Sequence, residues 1–195
     1  MMPGGHLATS LALSGIVYAS SGSAAAASGC IAGGFLIDVD HYFDYLIFEK
    51  QWSRPGPVSF LRYYFAHSPK KLVLPLHSAE LMGLLLVLML WHPWPLLVGY
   101  WVGALMHLFF DILVNGDHVL KEPVPFYVFT YRAINRFAAE KLLDIDVSAS
   151  GGRAPIREFF SWRPAIEEDP IVEWPAVGAA YDRPQCENSE TTGRS

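Results

Sequence analysis

Four apolar segments, at about residues 7–20, 22–37, 79–91 and 94–114, dominate the first 116 residues of this chain and fall into two pairs. Each pair is interrupted by turn-forming residues, "SSGS" in the first and "HPWP" in the second. Runs this apolar bury themselves in a protein core or in lipid, most simply as helices, which satisfy their own backbone hydrogen bonds. The pattern predicts two helical hairpins. The first three runs are shorter than the roughly 20 residues of a full bilayer crossing. Short tilted spans, a half-inserted hairpin and buried helices of a compact bundle therefore all fit. Gly15, Ser20, Gly22, Ala24 to Ala27, Gly29, Gly33 and Gly34 give the first pair a small-residue surface suited to close helix contact. With 52% hydrophobic and 17% charged residues, the chain is expected to be an all-α, membrane-associated bundle. Its net charge of −5 offers no basic field, so no nucleic-acid partner is expected.

The N-terminal "MMPGGHLATSLALSGIVYASSGSAAAASGC" imitates a secretory leader, with "ASGC" shaped like a lipoprotein cleavage site. No Lys or Arg precedes its apolar run, however, and the segment is read as part of the mature fold. Cys30 and Cys186 lie in an apolar segment and a polar tail; neither a disulfide between them nor a cysteine zinc site is expected.

Residues 49–77 carry Lys50, Arg54, Arg62, Lys70 and Lys71 against the single acid Glu49, which by the positive-inside rule places this loop on the cytoplasmic side of an inner membrane. Its part "VSFLRYYFAHSPKK" suits either an amphipathic surface helix or a solvated loop. One amphipathic helix is expected in "PFYVFTYRAINRFAAEKLLDI", 125–145, with Arg132, Arg136 and Lys141 on its outer side. The domain is drawn as 1–147, and 148–195 as a polar, largely irregular tail rich in Gly, Pro, Ser and charge.

The ionisable residues of the apolar part fall at particular places. His6 precedes the first segment; Asp38, Asp40 and His41 follow the second; His77 and Glu80 open the third; His107 and Asp111 lie late in the fourth. In two hairpins all of these belong to one end of the bundle, and both turns to the other. His107 and Asp111, four apart, share a helical face, as do Asp38 and His41, three apart. Imidazoles and carboxylates gathered in this way suit a divalent ion, zinc first, with manganese or another hard or borderline metal as alternatives. The expected metal ligands are His6, Asp38, His41, His77, His107 and Asp111, with Glu80 or Asp40 as general base. His67, His92 and His118 fall outside this layer.

The motifs "GHLATSLAL", "LIDVDH", "LHS" and "GALMHLFFDILVNG", in this order over residues 4–116, resemble those of bacterial and archaeal proteins described as membrane-bound metal-dependent hydrolases. That family shows Pro-Asp-x-Asp-His, His-Arg-Gly-x-Thr-His-Ser and His-x-x-x-Asp motifs. The resemblance aligns Asp38, Asp40 and His41 with the first, His77 and Ser78 with the end of the second, and His107 and Asp111 with the third. It implies zinc-type hydrolysis, distantly like that of all-helical zinc phospholipases. Ile37 replaces the first motif's proline, and "KLVLPLHS" lacks the first His, the Arg-Gly and the Thr of the second. Either one family ligand is lost here or Glu80 substitutes for it.

Three functional classes follow. A metal-activated water could hydrolyse an ester or phosphoester, with membrane lipid as partner and substrate and Arg62, Lys70 and Lys71 steering an anionic headgroup. Alternatively, a structural metal could tie the hairpins together in a non-catalytic scaffold that recruits a partner. The third class, an ion or proton path, is disfavoured because the polar groups are confined to one end.

Overall fold

A computed structural model describes residues 3–66 and 69–144. It is all-α: α1 Pro3–Ser21, α2 Ala24–Gly34, a 3-10 turn Leu36–Asp38, α3 Val39–Ile47, α4 Pro57–Ala66, α5 Ala79–Trp91, α6 Pro95–Val119, and the short α7 Pro123–Phe126, α8 Phe129–Ile134 and α9 Ala139–Leu142. The expected hairpins are α1–α2 and α5–α6. Among the described residues the only β contacts are the isolated bridges Lys71–Ala138 and Leu120–Leu143. The irregular tail expected at 148–195, with Cys186, lies outside the described residues.

The caps explain where the helices begin. The Ser23 side chain accepts the Ala26 N–H at the start of α2, and Ser78 accepts the Leu81 N–H at the start of α5. Pro95 occupies the first turn of α6, where an absent N–H costs nothing. Within α6, residues Pro95–Val114 are long and apolar enough to cross a membrane.

Helices α2 and α6 run parallel with their backbones in direct contact. A Cβ on Gly29 or Gly33 would overlap the α6 backbone at Leu96 and Tyr100, and one on Gly99 or Gly103 would overlap the α2 backbone at Ala26 and Cys30. These are two interlocked small-xxx-small pairs, the arrangement by which helices approach closely without needing water to drive them together. Cys30 is a free thiol sealed in this seam. Helix α1 returns antiparallel along α2, where the Ser14 hydroxyl donates to the Ala27 carbonyl.

The expected single helix at 125–145 is instead broken into α7, α8 and α9. Arg136 and Phe137 take left-handed backbone conformations between α8 and α9. Arg132, expected on the outer side, is fully buried. The reason is local: its guanidinium lies over the Phe126 and Phe129 rings, and Nη2 donates to the His77 carbonyl oxygen at 2.9 Å. A straight helix cannot deliver Arg132 inward and also return Ala139 to the Lys70 carbonyl.

Gly33→Ala and Gly103→Ala should each force the α2–α6 backbones apart and lower stability by about 1–3 kcal/mol or more. Gly15→Ala and Gly83→Ala, whose added methyls meet nothing within 4 Å, should be neutral or stabilising by up to about 1 kcal/mol. Thermal unfolding of the four variants in one detergent checks both halves.

Candidate metal centre

The close α2–α6 seam ends at Gly34, and the site begins there. The Gly34 carbonyl lies 2.9 Å from His107 Nδ1. A carbonyl can only accept, so Nδ1 carries a proton and Nε2 is the free end of the ring. His77 is held in the same sense, with Nδ1 2.9 Å from Asp40 Oδ2. Backing by a carbonyl or carboxylate is how metal-ligating histidines are oriented. The two Nε2 atoms then face each other at 3.0 Å. Two neutral imidazoles would present lone pair to lone pair here, so the contact calls for a cation.

Two carboxylate oxygens complete the surround. Asp38 Oδ1 is 3.4 Å from both Nε2 atoms, and Asp111 Oδ2 is 3.3 Å from His107 Nε2 and 3.9 Å from His77 Nε2. Bonds of about 2.0–2.2 Å to a tetrahedral ion imply ligand–ligand edges of about 3.3–3.6 Å. These separations bracket that range, and the buried His/Asp groups can hold a metal ion.

The remaining expected ligands stand just behind and beside this core. His6 Nε2 is 2.9 Å from the other oxygen of Asp111, and its ring stacks on His107 at 3.7 Å between centroids. Because His6 Nδ1 is buried without a hydrogen-bond partner, the proton is best placed on Nε2, donated to Asp111. His41 Nε2 lies 3.8 Å from Asp38 Oδ1, at the more open side of the cluster. All six expected ligands thus come together, in two adjoining groups, His6–His107–Asp111 and Asp38–His41–His77.

The two expected general bases are placed elsewhere. Asp40 is buried behind His77, where it also accepts the Leu76 N–H at 3.1 Å. Glu80 turns away from the cluster altogether. Its two carboxylate oxygens accept the N–H groups of Phe129 and Thr130 at 2.8 and 2.9 Å, capping the start of α8. Leu72, six residues before Ser78, is buried in the hydrophobic core. His92 sits at the opposite turn against Trp94, outside the layer as expected.

Two residues of the surround had escaped the sequence reading. Asp44 accepts the Val73 and Leu74 N–H groups at 2.7 and 3.3 Å, and burial raises its carboxyl to about 6. Arg132 grips the far end of the same loop through the His77 carbonyl, with Nε and Nη1 buried without a hydrogen-bond partner. Residues 72–77 are therefore templated by two α3 carboxylates and one arginine. Leu74 is held there in a left-handed backbone conformation, with φ +42. The available signal was spacing: Asp40 and Asp44, four apart, share one face of α3.

Electrostatics favour positive charge in the cluster. Burial alone would depress His77, but Asp40 and Asp38 outweigh it and hold the imidazole at about 9. Burial pushes Asp38 up, yet His107 and His77 keep it well below the usual carboxylate range. Burial keeps His41 below its ordinary value. The chain matches no protein-family model, no curated protein and no solved structure.

In the metal-free protein the His77 proton stabilises the fold fully below pH 6.5, and that contribution is lost as pH rises through about 9. A metal must displace this proton. Its affinity should therefore climb with pH through about 9, with proton release on binding. Asp40→Asn should weaken metal binding by about 10–100-fold and move the His77 step of this rise to lower pH. Calorimetric titration in buffers of different ionisation enthalpy reads both.

Proposed function

We propose that the chain is a membrane-embedded, metal-dependent hydrolase that cleaves an ester or phosphoester of a lipid. The observation that carries this reading is the pair of backed imidazoles, His77 and His107, whose free Nε2 atoms meet at 3.0 Å between two carboxylates. His77, His107, Asp38 and Asp111 would hold the ion. Two imidazoles with two carboxylates suit zinc best, and manganese next. When bound, such an ion supplies Lewis acidity and lowers the pKa of a coordinated water to about 7.

The protein's own groups divide the remaining work. Asp40 and the Gly34 carbonyl fix the two rings, and His6 fixes Asp111 by its second oxygen. His41 stands beside Asp38 at the open side and is the candidate to take and return the proton of the attacking water. Asp38, with about a quarter of its side chain exposed, marks where a substrate would enter. The span-length α6 supports placement in a membrane. The bias of Lys50, Arg54, Lys70 and Lys71 supports an inner membrane with the site on the cytoplasmic side. The ordered motifs that resemble membrane-bound metal-dependent hydrolases support the same class of reaction.

A structural metal is the second reading, and one observation favours it: the four donors gathered here would by themselves fill a tetrahedral site, as closed structural sites do. The ion would then tie α6 to the turn before α3 and the loop before α5, with α1 joined through His6 and Asp111.

Detergent-purified protein should contain near-stoichiometric divalent metal by plasma mass spectrometry. His107→Ala and Asp38→Ala should lose it, while Glu80→Gln, altered only at the α8 cap, should keep it. On micellar carboxylester and phosphodiester substrates, His41→Gln should retain metal and lose about 10²–10⁴ in turnover. Metal-free wild type after incubation with zinc and with manganese would overturn the hydrolase reading; bound metal without turnover on either substrate class would favour the structural one.

A further inference from the structure

Helix α3 is amphipathic in the reverse sense from a soluble helix. Its acids point in: Asp40 is 1% and Asp44 5% exposed, both occupied with the 72–77 loop. Its outward face is apolar, with Leu36 of the preceding turn 57%, Val39 42%, Phe43 50% and Ile47 48% exposed. No charged residue interrupts this ridge, because the acids of the segment 36–48 belong to its inner face or to the cluster. In water such a surface would be a standing cost and an association hazard. Against hydrocarbon it costs nothing.

The surroundings say what covers it. The ridge lies at the level of the metal ligands, and at that level α6 also exposes Phe109 and Leu113, which flank the ligand Asp111. α6 is long and apolar enough to cross a membrane, and in that placement its exposed side chains at this depth would face lipid. Beyond Ile47 come the exposed Trp52 and, on both sides of it in the chain, exposed charges of one sign: Lys50, Arg54, Lys70 and Lys71. The acid just before them, Glu49, is spent on the Tyr63 hydroxyl and the Lys70 and Lys71 N–H groups. Apolar ridge, tryptophan and basic rim follow one another as acyl chains, interface and anionic headgroups do.

We propose that the outer face of α3 and the Trp52 loop after it form a lipid-contact surface for an anionic bilayer, so that the metal layer opens sideways onto lipid at the acyl–headgroup boundary. His107 and Asp111 fall about 18–24 Å along a span of about 30 Å counted from Pro95. That places Asp111 about 6 Å from one end of the span and His107 between the midplane and that end. Asp38, the most exposed of the four core ligands, lies between Leu36 and Val39 of the ridge. A glycerolipid would thus meet the cluster with its ester region and not with its chain ends. The inference deepens the hydrolase reading and rests on its membrane placement, but not on its chemistry.

The test uses full-length protein with Cys30→Ala and Cys186→Ser, carrying a nitroxide at Phe43→Cys, Ile47→Cys or, as a water-facing reference, Glu140→Cys on α9. Each is reconstituted in vesicles of phosphatidylcholine with phosphatidylglycerol, and relaxation by oxygen is compared with relaxation by chromium oxalate. Labels at 43 and 47 should favour oxygen over chromium oxalate at least several-fold more than the label at 140. Equal access of chromium oxalate to all three positions would overturn the proposal. So would protection of 43 and 47 from both reagents with spin–spin broadening, which would assign the ridge to a second copy of the chain. Metal content measured on the same samples separates the two readings. Loaded protein with a water-facing ridge defeats this proposal alone, and a lipid-facing ridge without metal defeats the hydrolase alone.

Discussion

The backbone contact between α2 and α6 is the constraint on which the site depends. Glycines at four positions of the seam let the helices meet without intervening side chains. That closeness lets a main-chain carbonyl at the end of one helix reach an imidazole in the middle of the other. A larger residue in the seam would carry Gly34 away from His107 Nδ1, and the ring would lose the partner that decides which nitrogen faces the cluster. Packing therefore specifies a tautomer, and the tautomer specifies a lone pair. The chemistry of His107 begins as a matter of helix separation.

The loop carrying His77 has no helix to hold it and is fixed by other means. Asp44 and Asp40 take three of its N–H groups and the His77 ring, and Arg132 takes the His77 carbonyl from the opposite side. Arg132 in turn is kept in place by Phe126 and Phe129, and α8 is capped by Glu80. The C-terminal helices thus serve the site indirectly, by closing over the loop that presents a ligand. This accounts for a guanidinium in a fully buried place. Its positive charge faces Asp40, Asp44 and Glu80 and offsets acids that burial would otherwise make expensive.

The hairpins and the gathering of the six ligands were legible in the sequence because both follow from where apolar runs stop. A charged residue at the end of a buried helix has few places to go, and four such ends converge. Roles inside the cluster were not legible. Asp38 and Asp40 are two residues apart and chemically identical, and only the fold sends one to the core and the other behind a histidine. Glu80 was misplaced for a related reason. It stands three residues after His77, near enough to suggest the same site, but the partner that claims it lies 49 residues further on at Phe129. The broken 125–145 segment failed as a helix prediction because its aromatic periodicity is real, while the left-handed residues at 136 and 137 are dictated by docking rather than by composition.

The four candidate core ligands are not equivalent, and the difference bears on whether an ion held there would tie the fold or react. His77, His107 and Asp111 are buried, and each is gripped from behind, by Asp40, the Gly34 carbonyl and His6 respectively. Asp38 comes from a 3-10 turn between two helices, is about one-quarter exposed, and has His41 beside it. A purely structural site gains nothing from holding three donors rigidly and the fourth at the surface. A hydrolytic site gains a coordination position that can be vacated without disturbing the other three, next to an imidazole able to manage a proton. The asymmetry of the ligand set, more than its composition, is what favours catalysis over scaffolding.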